Sequence, residues 1–262
     1  MKLKIYQVDA FADQLFSGNP AAVCVLNSWL EEETMQKIAM ENNLAETAFL
    51  VKEDAHYIIR WFTPELEVDL CGHATLASAY VLFNYYGLST KVLELYSPRS
   101  GKLSVTKEKD GYLTLDFPTD ELEEVTALPI FKEALGTMPV QTYKGKTDYL
   151  LIYNSQKEIE QITPNFFLLD TIDARGIIVS APGDEVDFVS RFFAPQCGIS
   201  EDPVTGSAHT SLTPYWAQTL NKTKLVAKQL SARGGTLKCE YLKERVKISG
   251  KAIPYLIGEI ML

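Results

Sequence analysis

The run N-L-A-E-T-A-F-L over residues 43–50 sets one carboxylate, Glu46, into a segment whose neighbours read as buried strand. Along a strand Glu46, Ala48 and Leu50 share a face, which would put the acid in an apolar wall. Such a wall disfavours a carboxylate's charge, and an acid that keeps its proton near neutral pH suits general acid–base catalysis. The alternative is a glutamate at a strand start that points to solvent.

Two glycines could supply the complementary chemistry. Gly72 and Gly206 precede two segments with almost no charge, 74–83 and 208–220, and a helix apolar on all sides belongs inside a structure. A helix that opens at a glycine leaves its first N–H groups unpaired, so each entrance is suited to a small carboxylate or oxyanion. Close packing alone would also explain the glycines. His73 follows the first glycine, where it can donate, accept or act as a cap. Asp202 in E-D-P fits turn and cap chemistry, Ser207 could satisfy a helix amide, and Asn19 in G-N-P reads as a turn residue.

The elements that would position these groups come in two copies. R-W-F-T-P from Arg60 leads to C-G-H-A-T-L-A-S-A-Y-V-L-F, and R-F-F-A-P from Arg191 leads to T-G-S-A-H-T-S-L-T-P-Y-W. Eight positions separate Pro64 from Gly72 and eleven separate Pro195 from Gly206, so the second copy carries three extra loop residues. Short alternating strands surround both helices, at 4–11, 21–26, 47–51, 57–62, 103–106, 112–117, 176–180, 188–193, 225–230 and 245–249. The expected fold is α+β: two pseudo-symmetric domains, each a mixed sheet rolled around a central helix. The acidic, proline-containing stretch 118–129 is the natural link, which gives domains at 1–120 and 121–262, with a strand near 252–262 available to complete the first.

Composition narrows the partners. A formal charge of −9 without a basic cluster disfavours nucleic acid and anionic membrane surfaces. The amino terminus alternates like a strand, without the apolar core of a signal peptide, and no segment approaches the roughly eighteen apolar residues of a membrane span, so a cytoplasmic protein is expected. Cys24, Cys71, Cys197 and Cys239 lie far apart, and with three histidines they make a structural zinc site improbable; most of the thiols should be small buried hydrophobes. Neither helix entrance carries a nicotinamide, flavin or phosphate loop, so no cofactor is expected. A small carboxylate is the expected ligand, and a homodimer is compatible with this reading.

Four blocks in order, D-A-F-A-D-Q-L-F-S-G-N-P-A-A-V, N-N-L-A-E-T-A-F, D-L-C-G-H-A-T-L-A and E-D-P-V-T-G-S-A-H, resemble the signatures of the phenazine-biosynthesis PhzF-like family. The resemblance spans Val8 to about Gly235 and implies a fold similar to diaminopimelate epimerase, with the active site between two like domains. It implies that Glu46 moves a proton, as in the family's isomerisation of a dihydro-hydroxyanthranilate. By the same resemblance His73, Asp202 and Ser207 complete the catalytic group, and Asn19 lines the pocket beside Gly72 and Gly206. The epimerases carry a cysteine before each glycine; here the first is Cys71 but the second position holds Thr205, whose hydroxyl cannot serve as the opposing base. The expectation is a cofactor-independent isomerase of a small carboxylated metabolite. An epimerase with another base pair, and a binding protein that kept the pocket without turnover, are the alternatives.

Overall fold

Pleating and apolar runs build the strands of this computed structural model, which describes residues 1–54 and 56–262. The first unit comprises Met1–Asp116 with Ser249–Leu262 and the second Phe117–Ile248. In the first unit the elements are β1 (Lys2–Ala10), β2 (Asn19–Leu26), α1 (Glu32–Asn42), β3 (Glu46–Glu53), β4 (His56–Phe62), β5 (Glu67–Val68), α2 (Gly72–Tyr85), β6 (Val92–Ser97), β7 (Gly101–Lys107) and β8 (Leu113–Pro118). The second holds β9 (Glu123–Glu124), α3 (Ile130–Leu135), β10 (Gln141–Lys144), β11 (Asp148–Ile152), α4 (Gln156–Gln161), α5 (Phe166–Leu169), β12 (Gly176–Pro182), β13 (Phe188–Phe193), α6 (Ala208–Thr219), β14 (Lys224–Gln229), β15 (Gly235–Tyr241) and β16 (Arg245–Gly250). The last strand, β17 (Ala252–Met261), returns to pair antiparallel with β1.

The repeat is visible in the pairing. In the first unit β1–β2 is antiparallel, β2–β3 parallel, β3–β4 antiparallel, β4–β6 parallel and β6–β7 antiparallel. In the second unit the same alternation runs through β10, β11, β12, β13, β14 and β15. Each parallel step needs a crossover, and helices supply it. The central helices α2 and α6 occupy the β4–β6 and β13–β14 crossovers. Around α2 lie β1, β2, β3, β7 and β17; around α6 lie β11, β14 and β15.

Apolar periodicity explains the layers. Buried Met35, Ile38 and Ala39 form one stripe of α1 and pack with Cys24, Leu26, Phe49 and Val51 on one face of β2 and β3. The other face, including Ala21, Val23, Ala48 and Leu50, is equally buried, and the sheet contacts α2 on that side. Buried on both faces, β3 has the continuous apolar run of an inner strand. Ten of the fourteen residues of α2 are buried, which accounts for its lack of charge.

The Arg-aromatic-Phe-x-Pro units have a shared structural function. Arg60 forks onto Glu67 (2.7 Å and 2.7 Å) and lies over Phe62, while Arg191 forks onto Glu201 (2.7 Å and 3.0 Å) and lies over Phe193. Both acids stand five positions before the helix glycine, so each arginine ties the loop entering a central helix to the sheet. The three extra residues of the second copy fall before Glu201, where Pro195–Cys197 form a 3₁₀ turn closed by Gly198 at φ 74°. Pro214 inside α6 has no N–H for the Thr210 carbonyl; the backbone N–H of Asp120 donates to that oxygen instead, at 3.2 Å.

Arg191 also donates to the carbonyls of Ile159 and Ile162, so Arg191→Met leaves several buried acceptors unmatched. The variant should lose about 3 kcal/mol in a urea titration, and Glu201→Gln on the same background should restore part of it. A loss within experimental error would show that the fork does not hold the loop.

Candidate active site

The first unit gathers Asn19, Glu46, Gly72 and His73. Because Cys24 and Leu26 of β2, and Phe49 and Val51 of β3, turn to α1, Asn19 and Glu46 fall on the opposite, α2 face of their strands. The two strands run parallel with Ala21 beside Glu46, so both side chains sit at one end of the sheet. Gly18 delivers Asn19: its φ is +71°, and a Cβ there would meet the Ala10 carbonyl at 2.3 Å. Asn43 closes α1 in the left-handed region at φ 48° and turns the chain into Glu46. Gly72 begins α2, no side chain caps that end, and His73 occupies its first turn behind the extended residue Cys71.

His73 Nε2 lies 3.0 Å from Glu46 Oε2, with the two side chains 7% and 10% exposed. Asn19 Nδ2 is 3.2 Å from His73 Nδ1, and Cys71 Sγ is 3.5 Å from the same nitrogen. In the neutral ring Nδ1 accepts from Asn19 and Nε2 carries the hydrogen beside the Glu46 carboxyl; in the protonated ring Nδ1–H faces the Cys71 sulfur. Burial lowers the His73 pKa, but the charges of Cys71 and Glu46 outweigh it and raise it well above the usual histidine range. Burial, and then Glu46, push the Cys71 thiol up to about 11. That sulfur is therefore a neutral thiol near pH 7. The arrangement is a carboxyl and an imidazole able to exchange a proton out of bulk water.

The second unit holds Asp202, Thr205, Gly206 and Ser207. Thr205 Oγ1 donates to Asp202 Oδ2 at 2.5 Å, and Gln229 secures both residues, donating to the Asp202 carbonyl (2.7 Å) and accepting from the Thr205 N–H (2.9 Å). The helix does not begin at the glycine: α6 starts at Ala208, because His209 N–H reaches Gly206 O and Thr210 N–H reaches Ser207 O in a tighter preceding turn. Ser207 does not cap it; its hydroxyl accepts from Arg175 Nη2 at 3.2 Å. Arg175 is itself forked onto buried Asp148 and lies over Phe192. A recess of about 690 Å3 in this unit, lined in part by Gln141, Tyr143, Tyr215 and Gln218, contains none of these residues.

Sequence reading did not find Arg175, Asp148 or Gln229, nor the closeness of Cys71 to His73. For Gln229 a signal existed, since the alternation of β14 puts it on the buried face with Leu225 and Ala227. The expectation that most thiols are buried holds for Cys24, Cys71 and Cys239, whereas Cys197 is exposed.

Comparison with known proteins places this geometry among isomerases. The family described as phenazine biosynthesis-like protein (PhzC-PhzF) matches residues 8–258. An uncharacterised isomerase of Pseudomonas aeruginosa is 51% identical over 100% of both chains. The crystal structure of a PhzF-family phenazine biosynthesis protein from Enterococcus faecalis superposes with a TM-score of 0.97 at 51% identity, again over 100% of both. A predicted epimerase of Pseudomonas aeruginosa, 20% identical with a TM-score of 0.77 over 99% of both chains, shares the fold.

His209, in the first turn of α6, gives the second unit a pH response. Its Nδ1–H donates to the Thr205 carbonyl at 2.8 Å, Nε2 has no hydrogen-bond partner among the described residues, and burial lowers its pKa to about 4. A folded value below the unfolded one contributes stability above pH 6.5 that is lost as pH falls toward 4. The loss should reach about 3 kcal/mol, and His209→Gln should flatten that limb of a stability–pH profile. An unchanged slope between pH 6.5 and 4 in the variant would assign the acid response to other groups.

Proposed function

The chain belongs to the phenazine biosynthesis-like PhzC-PhzF family and is an isomerase, and from that premise we propose that it moves a proton on a small carboxylated metabolite with Glu46 as general acid and base. The observation that carries this reading is the 3.0 Å contact between Glu46 and His73, both withdrawn from water at the uncapped entrance of α2.

As carboxylate, Glu46 takes a proton from an activated C–H of the substrate; the freed electron pair shifts into the conjugated system, and Glu46 returns the proton to another carbon. His73 stabilises the carboxylate form before the first transfer and after the second, and Asn19 orients the ring. Negative charge that develops on the substrate falls near the N-terminus of α2, where the helix dipole favours it. Asp202, Thr205 and Ser207 bind the remainder of the substrate, with Arg175 holding Ser207. Two-base epimerisation is disfavoured because Thr205 donates its hydroxyl hydrogen to Asp202 and Cys71 is a neutral thiol near pH 7.

Glu46→Gln keeps shape and removes the transferable proton. Incorporation of deuterium from heavy water into a bound carboxylic acid, followed by NMR, should fall by about 10² or more while affinity changes little. Cys71→Ser should have a much smaller effect. Exchange that survives in Glu46→Gln and stops in Cys71→Ser would replace the carboxylate with a thiol base. Binding of acids without exchange in any form of the protein would mark it as a binding module.

A further inference from the structure

Glu46, Cys71 and His73 form a donor set that the proton-transfer reading leaves partly unused. A carboxylate oxygen, Sγ and a ring nitrogen lie within 4.8 Å of one another, and all three residues are buried. Buried carboxylates normally fill their lone pairs with donors, yet among the described residues His73 is the one side chain paired with the Glu46 carboxyl. Ligation through Nε2, the nitrogen on the side of Glu46, requires the tautomer protonated at Nδ1, and turning over the Asn19 amide lets its oxygen accept that hydrogen, the outer hydrogen bond that fixes a metal-binding imidazole.

The donor types select the ion. Sulfur, imidazole nitrogen and a single carboxylate suit Zn2+, whereas Mg2+ and Ca2+ require mostly oxygen ligands. Tetrahedral Zn2+ bonds of about 2.0–2.3 Å put neighbouring ligand atoms roughly 3.5 Å apart, so closing this cluster takes side-chain shifts on the order of 1 Å. One carboxylate and one thiolate cancel the ion's charge, which matters where a net buried charge is costly. Three protein ligands leave the fourth position for water or substrate.

We propose that Glu46, Cys71 and His73 bind one Zn2+ ion and that the ion inhibits the isomerase by occupying the lone pairs through which Glu46 moves its proton. Cys71 binds as thiolate and its proton passes to water. The inhibition rests on the role given to Glu46 above; the binding does not.

Co2+ serves as the spectroscopic probe. Wild type should bind one Co2+ per chain with a thiolate-to-cobalt charge-transfer band in the near ultraviolet, and Zn2+ but not Mg2+ should displace it. The band should disappear in Cys71→Ala, or in Cys71→Ser if the alanine variant does not fold, and persist in Cys197→Ala, which removes the exposed thiol. His73→Ala should weaken binding. Deuterium exchange should fall in proportion to the sites filled by Zn2+ and return on addition of a chelator. Absence of the band in wild type, or its survival in both Cys71 variants with loss in Cys197→Ala, overturns the site. Zn2+ that binds without slowing exchange overturns the inhibition. If Glu46→Gln leaves exchange intact while cobalt binds through Cys71, the mechanism falls and the metal site stands.

Discussion

Holding a carboxyl out of water beside an imidazole costs several kcal/mol unless the surroundings offset it, and much of the first unit is arranged to do so. Glu46 can occupy the end of an inner strand because His73 meets it at 3.0 Å. His73 can occupy that place because Asn19 and Cys71 satisfy its other nitrogen. Asn19 in turn depends on the left-handed turn at Gly18, and the register of β2 against β3 aligns it with Glu46. A single pairing thus links two strands and a helix entrance.

The second unit uses the same backbone plan for different chemistry. An arginine on the strand before each central helix grips an acid five residues ahead of the glycine, which fixes the loop at equal distance from both entrances. Side chains then diverge. Where the first entrance has Cys71 beside His73, the second has Thr205 tied to Asp202 and Gln229, and an arginine on Ser207. The repeat supplies the helix entrances and the side chains differ between them, so the carboxyl–imidazole contact lies at the first and the Thr205–Asp202 bond at the second.

The neutral Cys71 thiol lies beside the carboxyl–imidazole pair. Cys71, raised to about 11, contributes little as a base at neutral pH, but a metal ion changes that balance because ligation deprotonates thiols outright. The same three residues therefore suit proton transfer without an ion and coordination with one.

Both central helices could be read from their lack of charge, as could the repeat and the parity that puts Glu46 with Ala48 and Leu50. These are local properties: periodicity and composition act over a few residues, and burial leaves its mark on each residue in place. Helix α1 was not recognised, because Met35, Ile38 and Ala39 make a narrow stripe in a segment rich in charge; β10, Q-T-Y-K, is polar throughout but for its tyrosine, and β11, D-Y-L-L-I, runs apolar without alternation. What the chain determined by itself was which residues are apolar, which are reactive and how they repeat. Tertiary structure alone decided that His73 reaches Glu46, that Arg175 holds Ser207 and that Gln229 braces Asp202, since each pair joins residues more than twenty positions apart. Such contacts follow from strand register and helix docking, and no spacing along the chain encodes them.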